Sequence, residues 1–235
     1  MKIDAFYSDP HFGHKGVIEF CSRPYADRDE MNEDLIKRYN EVVPEDGTCV
    51  WVGDCFFLNQ ELAKQIMRRL NGTKILVRGN HDDKPHKMVE RGFHLVTDEL
   101  WLDIAGYPCR VNHFPPAGYS SDIRYNARRP PWSPHVLIHG HTHANWKLET
   151  KGKGKKMLHV GVDAWGYAPA PYSEVEKLVK AMHDEPNCQI CLDACMNKKG
   201  NYKRFETYNE TMADTAEVEE GSEHIVCHVC YEAMT

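Results

Sequence analysis

Short apolar runs, each closed by a cluster of Gly, Asp, Asn and His, form the first legible pattern in this chain. Ile3–Tyr7 runs into Ser8-Asp9-Pro10-His11, Thr48–Val52 into Gly53-Asp54, and Lys74–Val77 into Gly79-Asn80-His81-Asp82. Runs rich in β-branched and aromatic residues and bounded by turn formers predict buried strands. Between them Met31, Leu35, Ile36, Tyr39, Val42 and Val43 recur at helical spacing and stop at Pro44, and a second helix is predicted over 60–70, closing at Asn71-Gly72. Strand, polar cluster and helix in repetition predict an α/β sheet, whose ligands gather beyond the carboxyl ends of its strands. Further on, Trp101–Ile104 and Arg110–Phe114 flank a Gly106-Tyr107-Pro108 turn as a hairpin, and Val136–Ile138 leads into Gly140-His141-Thr142-His143. Two strands near Trp146–Glu149 and Met157–Val160 flank a Lys/Gly turn, and a helix over 173–182 completes the body.

A length of 235 residues suits one full core with a small appendage. No run approaches the roughly 18 apolar residues of a membrane span, and the opening Met1-Lys2-Ile3-Asp4-Ala5 has neither an apolar core nor a small-residue cleavage site. The expectation is a cytoplasmic protein with no membrane partner. The formal charge of −6 belongs to the tail: residues 184–235 carry 4 basic and 11 acidic side chains, and residues 1–183 carry 25 and 24. A near-neutral body argues against a globally basic nucleic-acid binder. Nine cysteines, an odd number, fit thiols or metal ligands better than a disulfide framework, and five of them (Cys188, Cys191, Cys195, Cys227 and Cys230) crowd into the last 48 residues. The chain therefore divides into a body, 1–183, and a module, 184–235.

Each polar cluster alone reads as an ordinary loop, and a lone histidine as a hydrogen-bonded structural residue. Their recurrence changes the reading, because Asp9-Pro10-His11, Gly53-Asp54, Gly79-Asn80-His81-Asp82, Asn112-His113 and Gly140-His141-Thr142-His143 all follow strand-like runs and one sheet edge can collect them. Imidazole and carboxylate together suit Mn, Fe, Zn or Ni. Two ions about 3.5–4 Å apart need a shared oxygen ligand, and Asp54 is the natural bridge.

In order and spelling these clusters closely resemble the calcineurin-like metallophosphoesterase superfamily, whose motifs are D-x-H, G-D, G-N-H-D/E, a lone His and G-H-x-H. All five occur in order across 9–143, so the resemblance covers about the first 170 residues. It implies a four-layer α/β/β/α sandwich that hydrolyses phosphoesters with two divalent ions. It also implies one ion on Asp9, His11, Asp54 and His143, the other on Asp54, Asn80, His113 and His141, and His81 as the non-ligand histidine that protonates the leaving oxygen or stabilises the transition state, oriented by Asp82. The opening S-D-x-H-F-G-H, Ser8–His14, is similar to compact bacterial and phage members. It makes His14 a candidate phosphate contact, with a surface or supporting histidine as the alternative.

In the tail, Cys188-Gln189-Ile190-Cys191 and Cys227-His228-Val229-Cys230 form two Cys-x2-Cys pairs 35 residues apart. Such pairs can hold one structural zinc in a zinc-ribbon-like or treble-clef-like module, and so small a unit needs that staple. The alternative is a set of free thiols, and Cys195, His224 and His228 leave the ligand set open. Between the fourth and fifth motifs, the stretch from Ile123 to Trp132 offers Arg124 and Arg128 to phosphate and aromatic rings to bases; a solvated loop is the plainer reading. The expected function is a metal-dependent phosphoesterase. The open site between motifs and the Arg/Tyr loop favour phosphodiesters, with a nucleotide or nucleic acid as the candidate substrate. The rivals are a phosphomonoesterase or protein phosphatase, and a zinc-stapled module that recruits a protein partner while the enzyme core is secondary.

Overall fold

Strands β1 (Ala5–Tyr7), β2 (Thr48–Trp51) and β3 (Thr73–Val77) are buried almost throughout, as parallel strands covered on both faces must be. The computed structural model to which they belong describes residues 2–119, 124–150 and 156–184. The cysteines of the proposed zinc module, Cys188, Cys191, Cys227 and Cys230, lie outside the described residues. Around these three strands a first sheet is completed by β4 (Leu95–Thr97) and β10 (Ala170–Pro171) in the order β10-β1-β2-β3-β4, with β10 antiparallel and the rest parallel. A second sheet has the order β5-β6-β7-β9-β8, from β5 (Leu100–Ile104), β6 (Tyr107–Val111), β7 (Val136–His139), β8 (Leu148–Thr150) and β9 (Lys156–His159). Its inner strands β6, β7 and β9 are parallel and its edge strands antiparallel.

Strand alternation divides the core in two. Tyr7, Trp51 and Leu76 point to one side of the first sheet, into a cluster with Met31, Leu35 and Tyr39 of α2 (Arg28–Val42), Ala63 and Met67 of α3 (Gln60–Arg69) and Met88 of α4 (Pro85–Arg91). Phe6, Val50, Val52, Ile75 and Val77 point the other way, against Val111, Ile138 and Leu158 of the second sheet. Val175, Leu178, Val179 and Met182 of α5 (Tyr172–Asp184) join that second cluster. With the short α1 (Lys15–Phe20), this is a mixed α/β arrangement of two sheets and, among the described residues, five α-helices. The helix starts follow from capping: Asp27 accepts from the backbone nitrogens of Asp29 and Glu30, and Asn59 from that of Leu62.

The two sheets meet at the carboxyl ends of their parallel strands. Ser8 bridges Gly161 in parallel, the Val162 nitrogen donates to the Ser8 carbonyl at 3.0 Å, and Nδ1 of His113, after β6, lies 2.7 Å from the Val52 carbonyl at the end of β2. The loops after β1, β2, β3, β6, β7 and β9 therefore emerge on one edge. Among the described residues no helix is long and apolar enough to cross a membrane.

Candidate metal centre

Two clusters of ligating atoms form where those loops converge. Asp9, His11 and His143 make one and Asp54, His113 and His141 the other, with the atoms of each cluster all within 4.8 Å of one another. Oδ2 of Asp54 lies 3.4 Å from Nε2 of His113 and 3.8 Å from Nε2 of His11, so this carboxylate stands between the clusters. Oδ1 of Asp9 lies 3.9 Å from Nε2 of both His11 and His143. Nε2 of His113 also lies 3.2 Å from Oδ1 of Asn80. The structure thus brings together all seven residues expected as ligands.

Each carboxylate gives one oxygen to the protein and turns the other to the cluster. Oδ2 of Asp9 accepts from the Ser8 hydroxyl at 2.6 Å and from the His141 nitrogen at 3.0 Å, while Oδ1 is buried with no hydrogen-bond partner. Oδ1 of Asp54 accepts from the His81 nitrogen at 2.9 Å. The imidazoles are set in the same way. The Val52 carbonyl, 2.7 Å from Nδ1 of His113, can only accept, so that nitrogen carries a proton and Nε2 is the nitrogen turned to Asp54, where its lone pair would meet an ion. Both ring nitrogens of His11 are buried and unpartnered. Buried polar groups are rarely left so, and lone pairs converging on a carboxylate are what a divalent cation takes up.

The backbone is bent to achieve this. Asp9, His11, Asp54, His141 and His143 all have φ between 47° and 70°, a left-handed conformation that non-glycine residues seldom adopt and that is characteristic of functional sites. Gly53 (φ 92°) and Gly140 permit the close approach. A Cβ at Gly53 would strike Nδ1 of His113, and one at Gly140 would strike Oγ of Ser8 and Oδ2 of Asp9.

Electrostatically the site is divided. Burial, aided by the charge on His113, pushes His141 down to about 3, and burial holds His11 well below its ordinary value. Burial also opposes protonation of His113, but the Asp54 charge and hydrogen bond override it and raise His113 to about 9. Burial acts against His143 too, and its hydrogen bonds to Asp163 and Cys21 raise it to about 10. Burial raises the Asp9 carboxyl, whereas at Asp54 the histidines outweigh burial and hold the carboxyl below the usual range.

Other expectations fare differently. His81 stands at the rim, its side chain 44% exposed and its Nε2 4.0 Å from Oδ2 of Asp54, so it is open to an incoming molecule. Asp82, expected to orient that ring, instead accepts from the backbone nitrogens of Asp54, Cys55 and Gly79 at 2.7–3.0 Å; it fixes the turns rather than the imidazole. His14 stacks on Phe57 with ring centroids 3.9 Å apart and lies 5.4 Å from the His11 ring, beside the site. Arg128 donates to the carbonyls of Arg78 and Gly79 at 2.9 and 3.1 Å and lies over Phe114, so its guanidinium braces the third motif. Arg124 is exposed on its loop. Asp163 was missed. Its Oδ2 meets Nδ1 of His143 at 3.0 Å, and Arg23 pairs with both of its oxygens. The signal was present, since Gly161-Val162-Asp163 follows the run Met157–Val160 just as the other clusters follow theirs.

No protein-family model matches the chain. A protein of unknown function from Aquifex aeolicus has a similar fold, with TM-score 0.57, 22% identity, and coverage of 74% of this chain and 98% of that one. An uncharacterized protein of Methanocaldococcus jannaschii is 29% identical over 184 residues, 77% of this chain and 93% of its own length. The Gene 66 protein of Mycobacterium phage L5 is 32% identical over 212 residues, 79% of this chain and 98% of its own. On that identity and extent, the chain belongs to the same family as the phage L5 Gene 66 protein.

Proposed function

We propose that the protein is a phosphoester hydrolase that works with two divalent cations and prefers diesters, on a four-layer α/β/β/α metallophosphoesterase sandwich. The observation that carries this reading is the pair of adjacent three-residue clusters, with Oδ2 of Asp54 facing both His113 of its own cluster and His11 of the other, and with Oδ1 of Asp9 and both nitrogens of His11 buried and without a hydrogen-bond partner. The donor set fits borderline cations such as Mn, Fe, Zn or Ni. Asp9, His11, Asp54 and His143 would hold one ion and Asp54, Asn80, His113 and His141 the other. When bound, such ions supply Lewis acidity toward a phosphoryl oxygen and lower the pKa of water.

The chain's own contribution is orientation and proton handling. The Val52 carbonyl and Asp163 set the rings of His113 and His143, and the His81 backbone pins Asp54. His81, at the rim, is placed to deliver a proton from Nε2 to a leaving oxygen. Tyr125, stacked on Phe114, and Phe57, stacked on His14, remain partly exposed with rings 6.2 Å from that of His141 and 4.7 Å from that of His81, and their uncovered surface would contact a nucleotide base. In the tail, Cys188, Cys191, Cys227 and Cys230 would hold a structural zinc, and that module is a candidate surface for a protein partner.

The test is to strip the protein of metal, resupply Mn, Fe, Zn or Ni singly, and assay an aryl phosphodiester, the matching monoester, a cyclic nucleotide, a single-stranded oligonucleotide and a phosphopeptide. Metal-dependent turnover with diesters ahead of monoesters is expected. Turnover that survives stripping, or none with any metal, would overturn the reading.

A further inference from the structure

The side chain of Arg23 is fully buried and makes four hydrogen bonds to oxygen that tie its own segment to the Asp9-Pro10 turn and to Asp163. Its Nε and Nη2 donate to the two oxygens of Asp163 at 2.8 and 3.0 Å, its Nη2 also donates to the Asp9 carbonyl at 2.8 Å, and its Nη1 donates to the Pro10 carbonyl at 2.9 Å. Asp163 in turn faces Nδ1 of His143 at 3.0 Å, and Nε2 of the same ring points toward Asp9. Cys21 lies against the same pair, with its sulfur, a His143 nitrogen and an Asp163 oxygen all within 4.8 Å of one another.

From this geometry we infer that Arg23 and Asp163 are positioning residues for the first ligand cluster: Asp163 fixes the tautomer of His143 so that Nε2 is free to ligate, and Arg23 holds Asp163 and the Asp9-Pro10 turn in one register. The inference rests on the two-cation reading above. A carboxylate accepting from Nδ1–H leaves the lone pair on Nε2 and makes the ring a stronger donor. Arg23 also pairs with a carboxylate whose side chain is only 3% exposed; left without that guanidinium, a carboxylate so buried would be costly. Among the described residues the second cluster shows no such carboxylate behind its histidines. His113 is set by the Val52 carbonyl instead, so the relay acts on one cluster only.

Two measurements on the full chain test this. In the first, stripped wild type and Asp163→Asn are titrated with Mn2+ by calorimetry, with circular dichroism as a check on folding. Wild type should show two sites. The variant should keep one unchanged and weaken the other by about 10–100-fold, the range typical of removing a carboxylate behind a ligating histidine. In the second, 15N NMR of the Mn2+-free, Zn2+-loaded wild type, with His143→Gln used for assignment, should place the ring proton of His143 on Nδ1. This measurement stands even where the variant fails to fold. Two equally tight sites in a folded Asp163→Asn, or a proton on Nε2 of His143, would overturn the relay while leaving the hydrolase reading intact. A wild-type chain that takes up no Mn2+ and no Zn2+ would overturn both.

Discussion

Asp82 reaches across to Asp54: one of its oxygens accepts from the Asp54 backbone nitrogen at 3.0 Å and from that of Gly79 at 2.7 Å. Its other oxygen takes the Cys55 nitrogen at 3.0 Å. Two left-handed or glycine-bearing turns are thereby held by one carboxylate. Asp82→Ala leaves three backbone donors without that acceptor, and a loss of about 1.5–3 kcal/mol in stability is expected from urea unfolding, since hydrogen bonds to charged groups carry that weight. An unchanged urea midpoint would count against this role.

Asp54→Asn preserves size and the acceptor for the His81 nitrogen but removes the charge shared by the two clusters. Metal content by elemental analysis should fall at both positions, and turnover should drop further than for loss of His11 or His141 alone. Near-normal turnover in the variant would remove the bridging role.

His81→Ala should leave both ions bound and lower turnover by roughly 10²–10⁴, the usual contribution of a positioned acid or base. Because this ring sits at the rim, stability should hardly change. A fall in metal content would make His81 a ligand instead.

Part of the pH dependence of stability should come from two buried histidines beside the metal centre, His139 and His159. Burial pushes His139 down to about 4 and holds His159 well below its ordinary value; both rings are fully buried, and neither nitrogen of His159 has a partner. The unfolded chain protonates near pH 6.5 and the native one does not. Stability is therefore complete above about 6.5 and declines as pH falls toward 4, by up to about 1.4 kcal/mol per pH unit for each ring. Urea midpoints from pH 7.5 to 4.5 should flatten in His159→Leu, which also relieves two unpaired polar atoms. An equal slope in wild type and variant would assign the acid sensitivity elsewhere.

In the tail, replacing Cys188 and Cys191 with Ser should cost the full-length protein one zinc by elemental analysis and make residues 184–235 protease-sensitive, while a simple phosphodiester is still turned over. Unchanged zinc content would leave those cysteines as free thiols.

What could be read from sequence, and what could not, divides along physical lines. Asp9, His11, Asp54, Asn80, His113, His141 and His143 were legible because each directly follows an apolar strand, and a parallel sheet carries strand ends to one edge. Asp82 was misread because its partners are backbone nitrogens, which every residue has and no spelling reveals. Asp163 also follows an apolar strand, but its role is hidden in sequence because its link to Arg23 spans 140 residues, a pairing that only the closing of the sheets creates. Arg128 resembled a phosphate contact because guanidinium suits phosphate and main-chain carbonyls alike. The short elements α1, α4, β4 and β10 carry too few periodic positions to stand out, and their order comes from packing rather than propensity.

Both ligand clusters draw on both sheets: Asp9 and His11 follow β1 and Asp54 follows β2, while His113 follows β6 and His141 and His143 follow β7. Neither half of the chain owns a complete cluster. During folding, the capacity to capture a cation would arise only when the two sheets close on each other, so ion uptake in a refolding experiment would time that docking step. The same arrangement makes the halves mutually dependent in evolution, because a deletion or a transplanted half leaves both clusters without part of their ligands.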